Sequence, residues 1–104
     1  MAARILLTNL GTKLVAVSAR GPSSDVTVGA GAAADIALAY QPAPVGRILQ
    51  ALSLKSIEGL PDGLALVQFK ADEGGVTIRM LNTTGADVTV PANSITASVL
   101  AEAL

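Results

Sequence analysis

The chain of 104 residues contains no cysteine and no histidine, and its only aromatic side chains are Tyr40 and Phe69. Without cysteine there are no disulfides and no thiolate metal sites. Without histidine the chain lacks the residue that most often acts as a general base near neutral pH. These absences predict a protein that is not an enzyme and has no catalytic, cofactor-binding or metal-ligating residues.

Charged side chains are also scarce, at 14% of the chain, and their formal sum at pH 7 is −1. They form no basic stripe that would follow a phosphate backbone, so nucleic-acid binding is not expected. Gly, Pro or a charged residue interrupts every apolar run well before the ~20 residues that a membrane-spanning helix needs. The N-terminal run is broken at Thr8 and Asn9, which indicates a first strand over residues 4–8 and not a signal peptide.

Hydrophobic residues make up 51% of the chain and the mean hydropathy is +0.57, values that exclude disorder. Much of this fraction is alanine, so each buried position removes little apolar area from water and the core of a monomer is expected to be modest. This shortage favours burial of part of the surface against other subunits. At this length, residues 1–104 are predicted to form a single β domain.

Short apolar runs separated by turn residues recur at the spacing typical of an all-β sandwich or barrel. The turns carry Gly, Pro, Asn, Asp and Ser, as in Gly-Pro-Ser-Ser at 21–24 and Pro-Asp-Gly at 61–63. We therefore predict a β-sandwich or a jelly-roll-like barrel of short antiparallel strands. The strands are expected at residues 4–8, 13–18, 25–28, 35–40, 45–57, 64–70, 76–81, 87–90 and 94–100.

The segment at residues 45–57 is compatible with both a strand and a helix. Ile48, Leu49 and Leu52 have the spacing of a helix, whereas every second residue from Ile48 to Leu54 lies on one side of a strand. We adopt the strand, with the side chains alternating between its two faces. Short apolar runs of this kind are compatible with both periods, so the helix stays open as the alternative.

Two further segments have more than one interpretation. Asp-Val-Thr-Val occurs at 25–28 and again at 87–90, which indicates either a weak internal repeat or two strands that follow similar turns, and we prefer the second. The last residues, 101–104, are equally compatible with a frayed end and with a short helical turn. Asn82-Thr83-Thr84 matches a glycosylation sequon, for which a turn is the preferred interpretation.

Two stretches are predicted to contact a partner. The small-residue segment at 29–34 lacks the third glycine and the following helix of a dinucleotide fingerprint, so we interpret it as a loop that lies against a neighbouring subunit. Tyr40 and Arg47 flank a Pro-Ala-Pro turn and are residue types enriched in protein interfaces. The alternative is that Tyr40 covers the edge of the core and Arg47 is solvated. The predicted interface residues are Gly29, Gly31, Ala33, Tyr40 and Arg47.

The sequence shows no motif for calcium binding, for serine catalysis or for carbohydrate binding. The acidic residues do not show the Asp-x-Asp-x-Asp spacing of a calcium loop, and those in turns are expected to cap backbone N–H groups. The serines have no nucleophile elbow, which leaves a Ser–Lys dyad through Lys13, Lys55 or Lys70 without a motif behind it. The shortage of aromatic side chains argues against a carbohydrate site.

The run from residue 76 to residue 95 has a recognisable layout of strand, Asn-containing turn, strand, Pro and strand. It resembles the ending of many small β-domains of tailed-bacteriophage virions. With the chain length, the Ala, Gly, Val and Thr bias and the missing His and Cys, the sequence is similar to capsid decoration, or cement, proteins. The resemblance implies an architecture and a broad role, and it assigns no binding residue.

The role implied by the resemblance is that of a non-enzymatic virion structural protein on the capsid surface, which binds the assembled shell and stabilises it. The expected partners are the major capsid protein, or another virion protein, and copies of the chain itself, with a trimer as the first expectation. The alternative is a β-sandwich module of a bacterial surface or secreted protein that binds another protein or a glycan. A small hydrolase is the weakest interpretation.

Overall fold

The structure is a computed structural model, and it describes residues 13–44 and 46–104. The regular structure of this part of the chain is all strand, and none of it is a helix of the length and apolarity needed to span a membrane. The strand predicted at 4–8 lies outside the described residues. The strands are β1 (Lys13–Gly21), β2 (Val26–Val28), β3 (Ala33–Tyr40), β4 (Ile48–Glu58), β5 (Leu64–Asp72), β6 (Gly75–Asn82), β7 (Val88–Val90) and β8 (Ile95–Ala103).

Six strands form one antiparallel sheet in the order β4-β8-β1-β3-β6-β5, while β2 pairs with β7 in a separate two-stranded sheet. The edge strands β4 and β5 are consecutive in the chain and approach each other, so the larger sheet curls into a nearly closed barrel. No backbone pairing joins β4 to β5 among the described residues. The predicted all-β class and its barrel-like form are confirmed.

The inside of this barrel combines alanine and valine with the larger side chains of isoleucine, leucine and methionine. On β3, Ile36 and Leu38 are buried and Tyr40 packs against the core from the same face, as the alternation predicted. Part of the alanine therefore packs within one chain, while Ala16, Ala37 and Ala39 are among those that stay exposed. The inward residues of β8 are Ile95, Ala97, Val99, Ala101 and Ala103.

Strand β4 confirms the predicted strand from Ile48 onward, but its predicted two-residue alternation is wrong. The pairing of β4 with β8 shifts register at three bulges, each of which adds one residue to β4. Every third residue of β4 therefore faces the core, and the exposed residues Leu49 and Leu52 sit at the bulges. The inward residues of β4 are Ile48, Ala51, Leu54 and Ile57.

The end of the chain also differs from the sequence interpretation. Strand β8 continues through Ala103, so residues 101–104 neither fray nor form a helical turn. The backbones of Arg47 and Leu104 exchange two hydrogen bonds of 3.2 and 2.8 Å, which carry the pairing of β4 and β8 one step further. Strand β8 extends this far because it pairs with β1 on one side and with β4 on the other. A local sequence pattern does not show this pairing.

The two Asp-Val-Thr-Val motifs pair with each other as β2 and β7. Thr27 lies opposite Thr89 at the centre, with 3.2 Å between the two hydroxyl oxygens. Val28 and Val90 are buried beneath the ribbon, while the two threonines are exposed. Both motifs are thus strands that follow turns, as preferred, and their likeness has a structural reason because they occupy equivalent positions in one antiparallel pair.

The aspartates of the two motifs make equivalent capping contacts. The carboxylate of Asp25 accepts a 2.8 Å hydrogen bond from the backbone N–H of Ala92, and that of Asp87 accepts one of 3.2 Å from Ala30. The strands around the ribbon follow the same scheme, since β1 pairs with β8 and β3 pairs with β6. The equivalence does not extend to the whole of the larger sheet, because β1 also pairs with β3, whereas β6 and β8 are not paired in the described part of the chain.

Candidate functional site

The predicted interface residues fall into two groups at opposite ends of β3. Gly29 and Gly31 lie in the turn before this strand, and Ala33 is its first residue. Tyr40 is its last residue, and Arg47 directly precedes β4. The eight residues of β3 separate the two groups by about 25 Å. The five residues do not form one surface, and a role in partner contact stays a prediction for each group.

Tyr40 and Arg47 are brought together at the turn between β5 and β6. The Tyr40 hydroxyl donates to the backbone carbonyl oxygens of Asp72 and Gly75, the second at 3.3 Å. The Arg47 guanidinium lies 2.6 Å from the Glu73 carboxylate, and both side chains are exposed. An exposed ion pair adds little stability. These contacts hold the β5–β6 turn against the start of β4, where the barrel closes.

The environment of Tyr40 favours its neutral form. Burial raises the pKa of the Tyr40 hydroxyl, and the nearby Asp72 carboxylate raises it further, while the hydrogen bond to the Asp72 backbone acts in the opposite direction. The net effect is a pKa above the ordinary value of 10.0. The folded state therefore holds this proton more tightly than the unfolded chain does.

We expect a spectrophotometric titration to place the ionisation of Tyr40 above pH 10.0 in the folded protein. The signal is unambiguous because the chain has one tyrosine and no tryptophan. Since the folded pKa is raised, this contribution to stability is complete below the unfolded pKa and is lost as the pH rises through the folded one. Tyr40→Phe is expected to remove this component of the pH dependence of stability. A titration midpoint of Tyr40 in the folded protein at or below that of the urea-unfolded chain would contradict the raised pKa.

Short hydroxyl side chains cross the outer surface of β4, β8 and β1, between positions with larger side chains such as Arg20, Glu58 and Leu100. Ser18 lies opposite Ser98, and Ser98 lies opposite Ser56, so three hydroxyls form one row across the three strands. Ser53 and Thr96 flank this row on the same side of the sheet. We call these five residues the serine face. Short side chains lose little conformational entropy when they are covered, and they let another backbone approach closely.

Several large apolar side chains are exposed around the barrel. Leu14 is 64% exposed on the same side of β1 as Ser18, and Val67 is 57% exposed at the bulge of β5. Leu49 and Leu52 protrude from the bulges of β4. A cleft of about 310 Å³ runs between β4 and β5 where the barrel is not closed by backbone pairing. Exposed apolar side chains at an open sheet edge are typical of contact surfaces.

Polar side chains converge on the outer surface of β3, β6 and β5. Arg79 lies opposite Asp35 on one side and Gln68 on the other, and in the next row Thr77 lies opposite Lys70. These side chains line a cleft of about 230 Å³, which we call the polar cleft. The sequence analysis considered Lys70 only for a Ser–Lys dyad and did not group these side chains, because their proximity arises from the register between strands distant in the chain.

Asn82 has a structural role that excludes the sequon interpretation. Its side chain is buried, and its Nδ2 donates to the carbonyl oxygens of Val28 and Ala86 at 2.9 and 2.7 Å. Its Oδ1 accepts from the backbone N–H and the hydroxyl of Thr84 at 2.9 and 2.7 Å. The side chain therefore joins β6 to β2 and organises the following turn. The alternation of Val76, Ile78 and Met80 already places position 82 inward, which is a sequence signal for a hydrogen-bonded core residue.

The described residues contain no group of three acidic side chains placed to hold a metal ion. The three lysines considered for a Ser–Lys dyad are exposed, and the Lys70 ammonium lies 3.8 Å from the Asp72 carboxylate. No family model, curated protein or solved structure matches the chain. The surfaces of the barrel are thus the features from which a function is argued.

Proposed function

We propose that the protein is a non-enzymatic structural component of a virus particle, a capsid decoration protein that binds the assembled shell and stabilises it. The observation that carries this proposal is the serine face with Leu14 beside it, where a row of three hydroxyl side chains crosses three strands. Charged side chains border this row, at Arg20 and Glu58 on either side of Thr96. Such a surface costs little entropy to cover and suits contact between two protein backbones. Binding to the assembled lattice alone adds directly to the stability of the assembled form.

The open seam between β4 and β5 supports the same proposal in a second way. Leu49, Leu52 and Val67 are exposed there, and burying them against a neighbour removes apolar surface from water. Copies of the chain are proposed to associate with one another and with the major capsid protein, and a trimer is the first expectation. Because each copy contributes a small contact, the effect on the shell arises from many copies.

One observation favours the alternative, a binding module of a bacterial surface or secreted protein. The polar cleft gathers Asp35, Gln68, Lys70, Thr77 and Arg79 on one side of the sheet, which is more polar functionality than a packing surface needs. A module that captures a separate partner places its specificity in such a cluster. This candidate predicts a monomer that binds a soluble partner and has no affinity for shells.

Light scattering of the protein, alone and mixed with empty tailed-phage shells, distinguishes the two proposals. We expect binding to intact shells at a fixed stoichiometry, a higher melting temperature of the shell, and no binding to free capsid subunits. A stable monomer that binds none of a panel of shells contradicts the decoration role and favours the binding module.

A matched pair of variants tests whether the serine face is the contact. Ser56→Arg places a long charged side chain on an exposed position of this face, and we expect shell affinity to fall at least about tenfold. Thr89→Arg makes a comparable change at an exposed position of β7, away from the face, and is expected to leave binding unchanged. Equal binding by the two variants would assign the contact to another surface.

A further inference from the structure

We propose that the polar cleft is a binding site for the carboxylate of an acidic side chain on a partner protein, with Arg79 as the bidentate donor. The inference does not rest on the decoration role. It starts from the sheet register, which places Arg79 and Thr77 on one side of β6 and Gln68 and Lys70 opposite them on β5. Residues two apart on a strand point to the same side, so the four side chains mark a rectangle of about 5 by 7 Å.

The orientation of Arg79 is fixed by Asp35. The Arg79 Nε lies 3.1 Å from Asp35 Oδ1, and the two side chains are 51% and 58% exposed. Among the described residues Arg79 makes this one hydrogen bond, through Nε, and the end-on edge formed by its two terminal amino groups has no hydrogen-bond partner. A guanidinium held in this way presents two parallel N–H donors, which is the geometry that matches a carboxylate. The ion pair adds little stability at this exposure, so its main effect is orientation.

The remaining groups favour an acid over a neutral or sugar ligand. The Lys70 ammonium is 3.8 Å from Asp72, too long for a hydrogen bond, and keeps its donors for a ligand. Thr77 adds a hydroxyl between the two cations, and Ala37 beside it leaves the cleft open. The donors outnumber the acceptors, because the Asp35 carboxylate already accepts from Arg79. A sugar ring needs both kinds of partner, whereas a carboxylate needs donors alone.

Neighbouring carboxylates limit the affinity of the site. Asp35 and Asp72 offset part of the positive charge of Arg79 and Lys70, so we expect a single carboxylate to bind with a Kd of about 1–10 mM. An acidic segment of a partner protein adds contacts outside the cleft and binds more tightly. Salt weakens the interaction, since the cations are exposed.

The test follows the Arg79 Nε–H resonance by NMR while acetyl-glutamate-amide is added at constant ionic strength. We expect a saturable shift, no saturable shift with acetyl-glutamine-amide or chloride, and weaker binding of glucuronate. Arg79→Lys keeps the charge but loses the paired donors together with the Nε–H resonance, so the two proteins are compared through the backbone amide resonances of β6. We expect the affinity of the variant to be about tenfold lower with an unchanged melting temperature.

Three results overturn the proposal. An equal shift with chloride means a nonspecific ionic response, and equal affinity in Arg79→Lys means that the paired donors are not used. Tighter binding of glucuronate than of the peptide acid reassigns the cleft to acidic sugars. None of these measurements involves a shell, so failure of this inference leaves the decoration role to its own test.

Discussion

Replacing Asn82 by alanine is expected to lower the free energy of unfolding by about 3–4 kcal/mol, which corresponds to a fall in Tm of about 15 °C. The substitution removes four hydrogen bonds that the buried side chain makes to Val28, Thr84 and Ala86. It leaves the buried carbonyl oxygen of Val28 without this donor, whereas the carbonyl oxygen of Ala86 still accepts from the Thr84 hydroxyl. It also opens a void between β6 and β2. Urea and thermal unfolding measure the loss.

Two further variants test whether the effect of Asn82→Ala comes from its hydrogen bonds. Asn82→Asp keeps the shape of the side chain but turns an oxygen toward the carbonyl oxygens of Val28 and Ala86, so we expect a loss at least as large. Thr83→Ala changes the exposed neighbour, whose hydroxyl donates one hydrogen bond to the Gly63 carbonyl, and is expected to cost less than ~1 kcal/mol. A loss below ~1 kcal/mol for Asn82→Ala would show that the network is not needed for stability.

The second large effect is expected at Gly59, in the loop after β4. Its φ is +88°, and a Cβ at this position would come within 1.9 Å of the carbonyl oxygen of Ser94, just before β8. Gly59→Ala must therefore move the backbone where β4 and β8 begin their pairing, and we expect a loss of at least about 3 kcal/mol. Equilibrium unfolding and amide exchange in β4 and β8 report the effect.

Gly31 is the matched control for Gly59. Its φ is also positive, at +68°, but a Cβ there would meet no heavy atom within 4 Å. Gly31→Ala is therefore expected to cost only the backbone preference, about 1–2 kcal/mol. Equal losses at the two glycines would mean that the close approach to Ser94 is relieved without cost, contrary to this prediction.

The strands that sequence reasoning located well are those in which a two-residue alternation is sustained. Strand β3 is an example, because Ile36, Leu38 and Tyr40 share a face in both the prediction and the structure. Strand β4 was predictable as a strand but not in its orientation, since its three bulges arise from pairing with β8 and the curl of the sheet. The abundance of alanine was evident from the composition, whereas which alanines are buried depends on how the strands pair.

The candidate sites were less predictable because they depend on the strand order. Tyr40 and Arg47 were singled out by residue type, but their common contact with the β5–β6 turn requires that the barrel close next to β4. Asp35, Lys70 and Arg79 are far apart in the chain, and only the register of β3, β6 and β5 brings them together. The burial of Asn82 could have been predicted from the sequence, since the alternation of apolar residues in β6 places position 82 on the side that faces the core.

The bulges of β4 have a consequence for self-association of the barrel. A strand that pairs with an open edge forms hydrogen bonds with the backbone N–H and C=O groups of every second residue of that edge, as in a regular β-ladder. Strand β4 repeats in steps of three, so an incoming strand falls out of step at each bulge and cannot extend the sheet. The edge of β4 can therefore stay open beside exposed leucines while being a poor template for an added strand.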